Sequence, residues 1–427
     1  MGSSMTITRR QFVAATATGL AIPTGVFALG STKPIDNELT GKVICGYQGW
    51  FNARGDGMDF GFRHYDVAGK GFRPGHCSVD LWPDVDGYDK AARYDTPFLH
   101  KNGRVAQVFS SADKSTLTLH HQWMREYGID GAALQRFGLS LDGGKLHRMR
   151  DRVLENTRTA AKQQGRLWMN MYDLSGMDGK QVQDRVVKDW QGLVDRGITN
   201  DPNYLHHQGK PVLSIWGVGF GGRRYNIHAC NAVIDRINKE KRYAIMLGTP
   251  YHWREQIRDA DRDPRLHDTL RRADILSPWA VGRLSTPGDT LNRMESQLKP
   301  DLAWCKDAGI HYLPVIFPGF SWYNLKQARG QEGRLDQIPR RKGAFLWAQA
   351  EAARKAGAES LYLAMFDEID EGTAIFKCTN DPPVGESPFL DYEGLPSDHY
   401  LWLTGQVAAR LRRGKVPAIR EMPKRPL

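Results

Sequence analysis

The 427-residue sequence has no apolar run that reaches the ~18 residues of a membrane-spanning helix, which argues against an integral helical membrane protein. Cysteine is scarce. Cys45, Cys77, Cys230, Cys305 and Cys378 are scattered, odd in number and without a Cys-x-x-Cys pair. That excludes a zinc ribbon or a disulfide framework and leaves room for one or two bridges at most. There is no repeat of fixed period and no low-complexity linker. The Gly-x-Gly-x-x-Gly turn of a dinucleotide-binding sheet is missing after the first apolar segment, where Gly-Tyr-Gln-Gly-Trp-Phe stands instead. A basic block is missing too. The 59 Lys and Arg outnumber 48 Asp and Glu, for a net charge of +11, but only Arg410, Arg412, Arg413 and Lys415 cluster. Dispersed charge speaks against nucleic acid and fits an anionic polysaccharide better.

What is present begins at the N-terminus. Thr8-Arg9-Arg10-Gln11-Phe12 precedes an apolar stretch from Val13 to Leu29. A twin arginine ahead of a modest apolar region reads as a bacterial twin-arginine export signal. Gly19, Pro23 and Gly25 would break a core helix there. Val26-Phe27-Ala28 offers a small-residue cleavage site. Residues 1–28, with four appended residues ahead of Met5, are therefore expected to be the signal, and 29–427 the mature chain. Its expected location is the periplasm or the exterior, with no membrane attachment once the signal is removed.

Eight short apolar segments then recur between turn residues: Val43–Trp50, Gly131–Phe137, Leu167–Asp173, Pro211–Gly217, Tyr243–Pro250, Ile275–Val281, Tyr312–Pro318 and Ser360–Asp367. Near-continuous apolar character with little alternation marks strands buried on both faces. Amphipathic helical stretches separate them, from Leu117–Tyr127 to Pro396–Arg412. Strand–helix alternation repeated eight times predicts an α/β fold: a single (β/α)₈ TIM barrel over 29–427, with long loops on the C-terminal face. The first loop, Phe51 to Ser115, is the longest and holds an extra strand at Arg104–Phe109.

Barrel enzymes carry their chemistry at strand C-termini. Those positions here hold Tyr47, Gln48 and Trp50, Arg136, Tyr172 and Asp173, Trp216, the run Tyr251-His252-Trp253, Trp279, and Trp322 with Tyr323. Aromatic faces stack on the C–H faces of pyranose rings, while acids and Arg bind hydroxyls, so these residues are expected to bind carbohydrate. The 12 Trp of the chain point the same way. His120 and His121 are expected on a helix surface, and His206 and His207 in a loop.

The eighth segment ends in Phe366-Asp367-Glu368-Ile369-Asp370-Glu371-Gly372-Thr373, four carboxylates in five residues. Such crowding raises pKa values unless the groups diverge or meet cations. Glycosidic cleavage needs one carboxylic acid to protonate the leaving oxygen and a second carboxylate at the anomeric side. Glu368 and Glu371 are the candidates, with Asp367 and Asp370 as further substrate contacts. Two other readings share this segment. One is a metal-dependent polysaccharide hydrolase or lyase using Asp367, Asp370 and Glu371, and the other is a non-catalytic carbohydrate-binding barrel.

Several motifs in order resemble the glycoside hydrolase 71/99-like group of endo-α-mannanases, endo-α-mannosidases and α-1,3-glucanases. They are Gly-Tyr-Gln-Gly-Trp-Phe on the first strand, Gly128-Ile129-Asp130-Gly131 leading to Gln135-Arg136-Phe137, Gly209-Lys210-Pro211-Val212, Pro318-Gly319-Phe320, and Glu-x-x-Glu-Gly-Thr after the eighth strand. The resemblance implies a barrel hydrolase of α-linked glycans such as mannan, glucan or a fucan-like polymer, with no cofactor. It implies that Glu368 acts as base toward the sugar 2-hydroxyl, that Glu371 is the acid/base, and that Tyr47 contacts substrate. The family 99 motif usually reads Asn-Glu-Trp-His-Glu-Gly, so Asp367, Ile369 and Asp370 mark a divergent branch.

Overall fold

The computed structural model describes residues 35–67, 70–413 and 421–425. The export signal expected at 1–28 lies outside these residues. Among the described residues, eight parallel strands make a ring. In chain order they are Val43–Tyr47, Gly131–Phe137, Leu167–Asp173, Lys210–Trp216, Ala244–Thr249, Ile275–Pro278, a seventh strand in two pieces (His311–Tyr312 and Val315–Ile316), and Leu361–Leu363. Each of the first six pairs in parallel with the next, and the first also pairs with the eighth, Val43 opposite Leu361.

The broken seventh strand closes the ring. Its first piece pairs with Ile275–Pro278 and its second with Leu361–Leu363. Between the pieces, Leu313 donates to the Leu276 carbonyl at 2.8 Å and the Pro314 carbonyl accepts from Tyr362 at 3.0 Å. Proline has no N–H to give to either neighbour, so the strand changes partners at the one residue that cannot serve both.

Helices between the strands cover the ring. Lys114–Tyr127 and Lys145–Gln164 end in left-handed glycines, Gly128 (φ 74°) and Gly165 (φ 59°). Gly179–Asp195 starts with a capping box between Asp178 and Gln181, and Pro287–Arg293 with one between Thr286 and Asp289. The last helix is His399–Arg412. The first loop carries an antiparallel hairpin, Tyr94–Leu99 with Val105–Val108. From Ile35 onward the chain is one compact unit. No helix among the described residues is long and apolar enough to cross a membrane, and all five cysteines are buried free thiols.

Two histidine expectations need correction. His120 and His121 are fully buried, not on a helix surface. The His120 ring sits between two phenols, its Nδ1 at 2.7 Å from the Tyr47 hydroxyl and its Nε2 at 2.6 Å from that of Tyr88. His206–His207 form a short antiparallel strand against Lys210–Trp216.

Candidate active site

The eighth strand is three residues long, and the acidic segment folds back immediately after it. The Glu368 carbonyl accepts from Thr373 and Ala374, and the Phe366 carbonyl from Ile375 and Phe376. Gly372 makes the turn. It has φ 64°, and a Cβ there would lie 2.9 Å from the Ser321 backbone nitrogen. Only glycine fits both demands. Arg340 holds the outer side of the turn. Its guanidinium donates to the Gly372 and Ala374 carbonyls at 2.8 and 2.7 Å, over the rings of Tyr392 and Tyr400.

The four carboxylates diverge into different environments. Asp367 is fully buried and accepts from the backbone N–H groups of Gln48 and Gly49 at 2.8 and 2.9 Å. It fastens the first strand's end to the eighth strand, so its expected substrate contact is corrected to an anchoring role. Burial moves it up to about 6, against the pull of those two donors. Glu368 is also buried, and its two oxygens accept separately, from the Gln48 amide at 2.5 Å and the Thr373 hydroxyl at 2.7 Å. Burial and the charge of Glu371 raise it, while those donors oppose the rise.

Asp370 and Glu371 open onto a cavity of about 710 Å³. Its walls include Trp50, His64 and Trp322. The size is that of a small-molecule or oligosaccharide site. Asp370 is nearly buried. One of its oxygens has no partner among the described residues, and the other is 3.9 Å from His64 Nδ1. Burial and the neighbouring acids, Glu368 first, keep it well above the usual carboxylate range. Glu371 is half-buried. Burial, then Asp370 and Asp173, push its carboxyl up to about 8. His64 lies flat on Trp50, with ring centroids 4.1 Å apart and planes 7° apart, and Trp50 stacks in turn on Phe137. Burial and the charges of Arg150 and Arg63 hold the His64 imidazole well below its ordinary value, so it is neutral at pH 7.

The other expected contacts divide into three groups. Trp50 and Trp322 are half-buried walls of the cavity, and Asp173 is close enough to raise Glu371. Trp216 and Trp279 are half-buried against each other, edge to face at 5.5 Å, with Arg223 over Trp216, and do not border the Glu371 cavity. Tyr323 is half-buried and gives its backbone N–H to Asp80.

The third group requires correction. Arg136 and Tyr172 lie side by side in register and turn outward, where Arg136 grips Asp189 of helix Gly179–Asp195 through two bonds of 2.6 Å and Tyr172 adds a third at 2.7 Å. Tyr47 is fully buried, bonded to His120 and stacked on Phe366. Trp253 is fully buried against Trp304. His252 is buried and paired with Asp259 at 2.8 Å.

No family model matches the chain, and no curated protein matches it in sequence. Solved structures do. A GH99 endo-α-mannosidase from Bacteroides thetaiotaomicron aligns over 88% of this chain and 99% of its own, with a TM-score of 0.61 at 16% identity. The chain has the fold of that protein. A structure of the GH99 endo-α-mannosidase with BIS-TRIS-propane gives 0.59 at 16% identity over 88% and 98%. A glycoside hydrolase-like protein gives 0.52 at 13% identity over 89% and 97%. The sequence motifs resemble this same group of barrels.

Sequence reasoning missed Asp80. It is fully buried and accepts from the Ser321 hydroxyl at 2.5 Å and from the backbone of Tyr323 and Asn324 at 2.7 and 2.8 Å. Its own N–H donates to the Ile369 carbonyl. One aspartate thereby joins the loops of the first, seventh and eighth strands around the cavity. The only sequence signal was its place in the longest loop. His64 was missed as well; a lone polar residue in a loop carries no spacing pattern.

Proposed function

We propose that this protein is a glycoside hydrolase that cleaves an α-linked glycan of mannan, glucan or fucan type, with Glu371 as general acid and Glu368 as the ionised partner. The observation that carries the reading is the Glu371 carboxyl, raised to about 8 and facing an aromatic-walled cavity large enough for sugar rings. A group that holds its proton near neutral pH can give it to a departing oxygen. Glu371 and Glu368 compete for the same proton. Glu368 has two donors aimed at its carboxylate, which stabilise its charge, whereas the Glu371 carboxyl accepts no hydrogen bond among the described residues. Between these two, that difference in donors favours the proton on Glu371. In the step, the glycosidic C–O bond breaks, the Glu371 proton goes to the leaving oxygen, and water adds its hydroxyl at the anomeric carbon while its other proton returns to Glu371. Glu368 acts either on the 2-hydroxyl or at the anomeric carbon itself. A substrate without a free 2-hydroxyl is inert in the first case and cleaved in the second.

Leaving-group dependence tests the acid role. Glu371→Gln is expected to lose far more activity on natural glycans than on aryl glycosides, whose leaving groups need little protonation. Glu368→Gln is expected to lose similar amounts on both. Equal losses for Glu371→Gln across leaving groups would remove its role.

Export by the twin-arginine route is part of the same proposal and is supported by Arg9-Arg10 and the apolar stretch that follows. Arg9→Lys with Arg10→Lys is expected to leave precursor in the cytoplasm, and normal secretion of that variant would refute the route.

A further inference from the structure

The cavity that holds Glu371 has a cationic wall the proposed chemistry does not use. Arg63, Lys70 and Arg329 all border it, together with Phe60, Trp50 and Trp322. Arg63 and Arg329 make no salt bridge among the described residues. The Arg63 Nε is buried without a hydrogen-bond partner, and its guanidinium lies 5.7 Å from the centroid of the Phe60 ring. Lys70 spends one donor on the Ala328 carbonyl at 3.0 Å and keeps the others. Arg329 is exposed at the cavity edge.

The opposing acids do not neutralise this wall. Asp66 stands beside Arg63 and offsets part of its charge. Asp370 and Glu371 are both shifted toward the protonated form, and His64 is neutral. At pH 7 the cavity is therefore net positive. Cleaving a neutral glycan needs none of these three cations. A rim of guanidinium groups beside stacking aromatics suits a sugar ring that carries a fixed negative charge, because charge-assisted hydrogen bonds to sulfate or carboxylate are roughly twice as strong as those to hydroxyls.

We propose that Arg63, Lys70 and Arg329 form a subsite for an anionic substituent, a sulfate ester or a uronate carboxylate, on a sugar of the bound glycan. The inference rests on the glycoside hydrolase reading and narrows its substrate to charged glycans.

Calorimetric binding to the intact protein tests it with paired polymers: a sulfated α-fucan and the same fucan desulfated, and polygalacturonate and its carboxyl-reduced form. Neutral α-mannan is included for both binding and product release. The expected result is binding about tenfold tighter to one charged polymer than to its neutral partner, the size of one charge-assisted contact. The preferred pair tells sulfate from carboxylate. Arg63→Gln with Arg329→Gln should abolish the preference. The exposed Arg329→Gln alone, which disturbs no packing, should reduce it severalfold. Lys239→Gln with Lys241→Gln removes the same charge from a distant exposed site and should leave it intact.

Equal binding of charged and neutral partners would overturn the subsite and leave the hydrolase reading standing. An equal loss in the Lys239/Lys241 control would overturn it as diffuse attraction to a basic protein. If no polymer, charged or neutral, is bound or cleaved, the hydrolase reading fails and takes the subsite with it.

Discussion

Two charged clusters sit near the C-terminal ends of the barrel strands, and they are built in opposite ways. Around Asp189 both carboxylate oxygens have donors: two from Arg136, one from Tyr172 and a contact of 3.0 Å from His147. Burial alone would raise Asp189, but Arg136 and His147 overcome it and hold the group well below the ordinary range. Around Glu371 the nearest charges are other acids, and every shift runs upward. A buried charge with matched partners joins a strand to its helix. A half-buried acid left among acids keeps its proton available. The difference teaches that partners, more than position at a strand end, separate structure from chemistry.

The comparison is most sharply broken by substitution. Glu371→Gln should lower kcat on unactivated glycans by about 10²–10⁴-fold, the range of a general acid, and leave folding intact. Asp189→Ala should do the reverse. Arg136 would keep only the part-exposed Asp151 at 2.8 Å as a charged partner, so the loss should reach up to about 3–5 kcal/mol in denaturant unfolding, with little change in the kcat of the protein that remains folded. If Asp189→Ala instead loses activity at unchanged stability, the outward cluster belongs to the site.

The pH dependence of stability should separate the clusters next. Glu371 has a folded pKa above its unfolded value. Its favourable contribution is complete below about 4.5 and is lost as pH rises toward about 8. Asp189 is depressed when folded, so its contribution is present above its unfolded value and is lost as pH falls. Glu371→Gln should therefore raise Tm at pH 8 and leave it nearly unchanged at pH 4.5. Activity, which needs protonated Glu371, should fall as pH rises through about 8.

Smaller effects sharpen the boundary. Trp322→Ala should weaken glycan binding about tenfold, the value of one aromatic stack, with the fold intact. A large drop in Tm without a change in affinity would make Trp322 a core residue. Tyr47→Phe removes only the hydroxyl at His120 and should cost about 1 kcal/mol of stability with kcat unchanged.

The barrel was legible because its strands are buried on both faces. The apolar segments at Gly131–Phe137 and Leu167–Asp173 coincide with observed strands to the residue. The acidic segment was legible as chemistry because nothing local could neutralise it. Strand-end residues were read less well because strand side chains alternate between faces, and the direction a strand end points is set by the whole ring. Arg136 and Tyr172 face out to the helices, whereas the adjacent Phe137 stacks on Trp50 and the adjacent Asp173 raises Glu371. Nor does an excess of Trp mean an excess of surface: Trp82, Trp123, Trp168, Trp190, Trp253 and Trp347 are all buried.

Asp80 has a consequence for how the molecule assembles. Its hydroxyl and amide donors at Ser321, Tyr323 and Asn324 lie 241 to 244 residues away along the chain. Contacts of such separation carry a large loop-closure entropy and are slow to form. In refolding from denaturant, helical signal should return before the pocket can hold a ligand. The lag should shorten little in variants of the outer helices and lengthen when Asp80 is replaced by Asn.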